Sequence, residues 1–62
     1  MMIRMHHVRA AGYCNRGARE FFRRHGFDWQ QFVDEGIPEE LLIQTGDHIA
    51  LRVVEVAHAD GK

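Results

Sequence analysis

The chain has 62 residues, a formal net charge of −1 and a single cysteine, Cys14. A chain of this length buries only about 60% of the surface its unfolded form exposes, so it supports one small core and leaves no material for a separate catalytic lobe. One cysteine excludes an intramolecular disulfide, and no apolar run approaches the ~20 residues of a membrane span.

Taken in chain order, "MMIRMHHV" alternates Met1, Ile3 and Met5 with Met2, Arg4 and His6, which predicts an extended arm over residues 1–7. A single helical turn over 8–11 follows, closed by Gly12. Residues 15–25 have the period of an amphipathic helix. Cys14, Ala18, Phe21, Phe22 and His25 project to one side, and Arg16, Arg19, Glu20 and Arg23 to the other. Cys14 is expected to be a small buried apolar residue, and Glu20 stands four residues before Arg24, the favourable order for a surface ion pair.

Gly26 suits a left-handed helix end. In "FDWQQF", Asp28 is placed to cap a helix over 29–35, Gln31 to reach back to the cap, and Phe27 and Phe32 to staple it. Trp29, Phe32 and Val33 share one face of that helix, which stops at Gly36. "GIPEELLIQTG" repeats the logic over 38–44, with Pro38 at the first helical position, Glu39 and Glu40 in the first turn, and Gly46 as terminator. Asp47 then caps a last helix over 48–59, where Ile49, Ala50, Val53, Val54, Val56 and Ala57 cover one broad side. Leu51 falls on the polar side of this helix and is a candidate partner contact.

The expected fold is therefore all-α: a compact orthogonal bundle of four to five short helices forming one domain over 1–62. Its predicted core comprises Ala18, Phe21, Phe22, Phe27, Trp29, Phe32, Val33, Leu41, Leu42, Ile49, Val53 and Val54. A core this small gains from self-association.

The small net charge conceals a division. Residues 1–26 carry Arg4, Arg9, Arg16, Arg19, Arg23 and Arg24 against Glu20 alone, whereas residues 27–62 carry eight acids, Asp28, Asp34, Glu35, Glu39, Glu40, Asp47, Glu55 and Asp60, against Arg52 and Lys62. Such asymmetry favours an acidic partner, nucleic acid or a second copy of the chain, unless the halves neutralise each other within the fold. Arg9, Arg16, Arg19, Arg23 and Arg24 form the candidate basic face.

Catalytic chemistry finds little footing. Gly12 and Gly17 have the glycine spacing of a phosphate-binding loop, but Ala18 and Arg19 occupy the places of its lysine and hydroxyl. Serine is absent, and His6, His7, His25, His48 and His58 form no metal signature with Cys14. His6 and His7 are at most an adventitious metal site. Glu39 and Glu40 are adjacent and point to different sides of a helix, where they serve its N-terminus rather than acid–base catalysis. The expectation is no enzyme activity, no catalytic or metal site, no cofactor and no small-molecule substrate.

Two resemblances add context. "RAAGYCNRGAREFFRRHGF" resembles the first helix-turn-helix of MerR-type regulators. Aligning Ala11, Gly12, Arg16 and Arg19 leaves Phe21, Phe22 and Gly26 one position out of step. That resemblance implies that Arg16, Arg19 and Arg23 meet phosphates or base edges.

Through "VRAAGYCNRGAREFFRRHGFDWQQFVDEGIP" and "TGDHIALRVVE", the chain also resembles short uncharacterised helical proteins of tailed bacteriophages and prophages. The implied setting is the host cytoplasm or the virion. The implied role is an assembly or head-tail module that binds itself or another phage protein, with a DNA-binding regulator or a small inhibitor of a host protein as alternatives.

Overall fold

The computed structural model describes residues 1–60. Its elements are β1 (Met2–Ile3), α1 (Met5–Ala10), α2 (Asn15–Arg24), α3 (Trp29–Glu35), β2 (Ile37–Pro38), α4 (Glu39–Thr45) and α5 (His48–Asp60). The all-α bundle expected from the sequence is present, with a two-residue antiparallel clasp added.

The clasp pairs Met2 with Pro38 and Ile3 with Ile37. It brings the N-terminal segment under the bundle, where Ile3 is 0% exposed. Gly36 makes this approach possible. Its φ of 87° and ψ of −179° lie in a region open essentially to glycine alone, and a Cβ there would stand 2.9 Å from the Ile3 carbonyl oxygen. The alternation of Met1 to Met5 therefore describes an extended segment correctly as far as Arg4.

The helix expected at 8–11 begins earlier, at Met5, so the extended arm ends before residues 5–7. The reason is a local hydrogen bond: the Arg4 backbone N–H donates to His7 Nδ1 at 3.0 Å, satisfying one of the free donors at the helix start. His7 is buried as it does so.

Cys14 is exposed rather than buried. It occupies the cap position of α2, outside the helical register, and its Sγ accepts from the Gly17 N–H at 3.4 Å where a serine hydroxyl would ordinarily serve. Asp28 Oδ1 caps α3 by accepting from the Gln31 N–H at 3.0 Å, the half of the expected box that is formed. Pro38 is the extended cap of α4 instead of its first helical residue, because the residue pairs in the clasp.

The core gathers Ile3, Val8, Ala18, Phe21, Phe22, Phe32, Ile37, Leu42, Ala50, Val53, Val54 and Ala57. Phe22 lies at its aromatic centre, with ring centroids 5.6 Å from Phe27, 5.4 Å from Trp29 and 4.6 Å from Phe32. Phe27, Trp29 and Ile49 are partly buried against this core rather than inside it.

Two predicted core residues lie outside. Val33 is 49% exposed because α3 meets α2 through Phe32 and Trp29, and Val33 is past the edge of that contact. Leu41 is 41% exposed because its neighbour Leu42 takes the position facing the core, about 100° around the helix. α5 closes the bundle by packing on α1 and α4.

Candidate functional site

The exposed face of α2 forms one wall of a cleft of about 660 Å³. The periodicity that buries Ala18, Phe21 and Phe22 turns Arg16, Arg19 and Arg23 outward, and all three arginines line this cleft. The opposite wall is aromatic. The short His25–Asp28 connection sets Phe27 and Trp29 beside α2, and both rings line the same space. The Arg19 guanidinium carbon lies 6.0 Å from the Trp29 ring centroid, at the outer limit of a cation–π contact.

Glu20 is the only acid in this lining, and it hydrogen-bonds Arg23. Among the described residues Arg16 and Arg19 form no ion pair. The cleft is therefore net positive, with two guanidinium groups free to act as planar donors to a carboxylate or phosphate. Its aromatic wall supplies apolar contact and a surface for stacking.

The other members of the predicted basic face behave differently. Arg24 turns away from the cleft to Asp47, with nitrogen and oxygen 3.5 Å apart, and its guanidinium lies 5.7 Å from the Phe21 ring. The expected pair of Arg24 with Glu20 is replaced by Glu20 with Arg23. Arg9 is exposed on α1 and is not part of the cleft lining. Leu51 is exposed as expected, also outside this lining.

Phe27 borders a second groove, of about 300 Å³, whose character is opposite. It is lined by Met2, Ile37 and Leu41 together with Asp28 and Glu35, and among the described residues no basic side chain lines it. The chain thus presents a basic aromatic cleft and an acidic apolar groove on either side of one ring.

Two further polar clusters stabilise helix ends. Asp47 Oδ1 accepts from the Ile49 N–H at 2.9 Å, while Oδ2 faces His25 and Arg24. The Ile49 amide, assisted by His25 and Arg24, holds the Asp47 carboxyl below its usual range. Glu39 accepts from the Met1 amino group at 2.5 Å and lies 2.9 Å from His58 Nε2, and these two partners lower its titration in the same way.

His6, His7 and Asp60 converge at the α1–α5 contact, with ligand-type atoms within 4.8 Å of one another. This convergence was not visible in the sequence, where Asp60 is 53 residues from His7. Because His7 Nδ1 accepts from Arg4, the neutral ring carries its proton on Nε2 and offers no free lone pair, so an ion would have to break the α1 cap. Burial and His6 push the His7 pKa down.

No helix among the described residues is long and apolar enough to cross a membrane. The chain matches no protein-family model, and neither the curated proteins nor the solved structures hold a significant match to it. The site is thus described by its own geometry. Sequence periodicity located its arginines; it missed Trp29 and Phe27 as walls because both were assigned wholly to the core. The signal available was the short connection after Gly26, which obliges the start of α3 to lie against α2.

Proposed function

We propose that this chain is a small non-enzymatic interaction module that uses the cleft between α2 and Trp29 to grip an acidic protein surface. The observation that carries the reading is the convergence of Arg16, Arg19 and Arg23 with Trp29 and Phe27, where only one carboxylate competes for three guanidinium groups. A protein partner with carboxylates around an apolar side chain satisfies both walls, and such mixed anchors are typical of interface centres.

A second copy offers that chemistry. The rim of the groove beyond Phe27 carries the exposed side chains of Asp28 and Glu35 beside Met2 and Leu41, so insertion of that rim into the cleft of another copy would be heterologous and would generate a ring or a filament. This favours self-assembly or docking on a larger assembly, in keeping with the resemblance to small phage proteins and the virion or host-cytoplasm setting it implies. The concave form of the cleft suits a protruding partner better than the major groove of duplex DNA, which calls for a projecting helix.

One observation supports DNA binding as a second reading: α1 and α2 are joined by four residues with Gly12 at φ 90°, in the order of a helix-turn-helix, and Arg16 and Arg19 are unpaired near the start of the second helix.

Trp29 is the only tryptophan, so its fluorescence reports occupancy of the cleft. Titration with polyglutamate and with duplex DNA is expected to give a salt-sensitive response to polyglutamate that Arg16→Ala with Arg19→Ala removes. The absence of any Trp29 response to polyanions would overturn the assignment of the cleft. A response to DNA alone, with a salt slope near the number of arginines engaged, would transfer it to the second reading.

A further inference from the structure

The centre of the bundle contains a cavity of about 80 Å³, separate from the basic cleft. Its walls come from both sides of the core: Ala18 and Phe21 of α2, Phe32 of α3, Leu42 of α4, and Ala50 and Val53 of α5. They are almost wholly apolar, with the Tyr13 ring and Ile49, both partly buried, reaching toward the surface. A void in so small a core removes dispersion contacts and lowers stability. The volume is several times that needed for one water and about half that of an engineered apolar cavity of ~150 Å³ that stays dry and takes benzene or xenon. With hardly any polar partner in its walls, this cavity does not hold an ordered water well.

Gly17 supplies the second observation. It is the third residue of α2, in the first turn, where glycine still loses more backbone freedom on folding than alanine. Its backbone does not require glycine, since the positive-φ glycines are Gly12, Gly26, Gly36 and Gly46. Packing does not require it either, because a Cβ at Gly17 would meet only Cys14 Sγ, at an ordinary 3.7 Å. Gly17 is exposed and lines the cavity together with Tyr13, so the cavity reaches the surface at this point. Ala18 and Ala50, only 7% and 2% exposed, keep the walls back where larger residues would fill the space.

We infer that this cavity is a binding site for a small uncharged hydrocarbon group, a short alkyl chain or a single aromatic ring, admitted past Gly17. The site accepts no charged substituent, because no charged side chain lines it. Burial of the ligand's apolar surface and recovery of lost wall contacts drive binding.

Benzene and xenon are the probes, read by methyl NMR of the full chain. Saturable shifts are expected at the Ala18, Leu42, Ala50 and Val53 methyls with the exposed Leu51 methyls unmoved, and benzene is expected to raise the thermal midpoint. Ala50→Leu fills the cavity and is expected to reduce benzene affinity at least tenfold while the helical circular dichroism is kept; Ala18→Val is the milder filling variant. Gly17→Val narrows the entrance and is expected to slow ligand exchange. Unmoved wall methyls in benzene-saturated and xenon-pressurised wild-type protein would overturn the site, as would shifts at Leu51 as large as those at Ala50. Because these readouts need no polyanion, failure here leaves the basic cleft untouched, and the reverse also holds.

Discussion

On its inner side α2 presents Ala18, Phe21 and Phe22, all nearly solvent-free, with Phe22 in ring contact with Phe21, Phe27, Trp29 and Phe32. On its outer side the same helix presents Arg16, Arg19 and Arg23, whose only carboxylate partner among the described residues is Glu20, next to a half-buried tryptophan. The inner side is fixed by what the chain must bury. The outer side is not: any polar residues of good helix propensity would solvate it equally well. Three arginines facing two aromatic rings are therefore compatible with folding but not demanded by it, and the proposed interaction rests on that side of the helix.

The strongest test of this division removes the inner anchor. Phe22→Ala is expected to destabilise the chain by about 4 kcal/mol. At ~0.05–0.15 kcal/mol per residue, a domain of this size has about 3–9 kcal/mol in total, so the loss takes much or all of its stability. Urea unfolding would show a largely unfolded variant, and a loss below about 1 kcal/mol would mean that Phe22 is not at the centre of the core. Gly36→Ala comes next, at about 3 kcal/mol, since it combines a backbone region closed to alanine with a clash against the Ile3 carbonyl. Its expected signature is loss of the β1–β2 amide protection together with a lower urea midpoint.

Titration sharpens the comparison further. The His7 pKa lies below its ordinary value of 6.5, so the unfolded chain takes up its proton first, and stability is expected to decline as pH falls below about 6.5 until the folded ring also protonates. His7→Gln keeps an acceptor for the Arg4 amide and should flatten that phase in urea midpoints measured between pH 7.5 and 5, a range set by His7's ordinary value.

Asp47 acts at lower pH. Its folded carboxyl is held below the ordinary value of 3.8, so its contribution is present above about pH 4 and disappears as pH falls through the folded value. Asp47→Asn should remove that acid step. The smallest effect belongs to the outer face: Arg16→Ala with Arg19→Ala is expected to change folding stability by no more than about 0.5 kcal/mol while abolishing the polyanion response of Trp29.

Much of this arrangement was legible in the sequence for local reasons. Glycines at 12, 26, 36 and 46 end or separate the helices, Asp28 caps α3 as its position indicates, and the 3.6-residue period of α2 sorted Phe21 and Phe22 from Arg16 and Arg19. What was not legible depends on long-range pairing. The Met2–Pro38 clasp, the exposure of Val33 and Leu41, and the convergence of Asp60 on His7 each require knowing which helices meet. Cys14 and His7 were missed for another reason: a thiol and an imidazole fill capping roles usually held by hydroxyls and carboxamides. The arginines of the site could be named in advance, whereas its aromatic wall follows from how α3 leans on α2.

The most direct measurement is the solution mass of the purified chain by light scattering, at low and at high salt, beside Arg16→Ala with Arg19→Ala. A salt-labile oligomer of the wild type that the double variant fails to form is the expected result, and it would show that the basic cleft joins subunits. A wild-type monomer at both salt concentrations, or an oligomer that neither salt nor the double variant disturbs, would contradict assembly through this cleft.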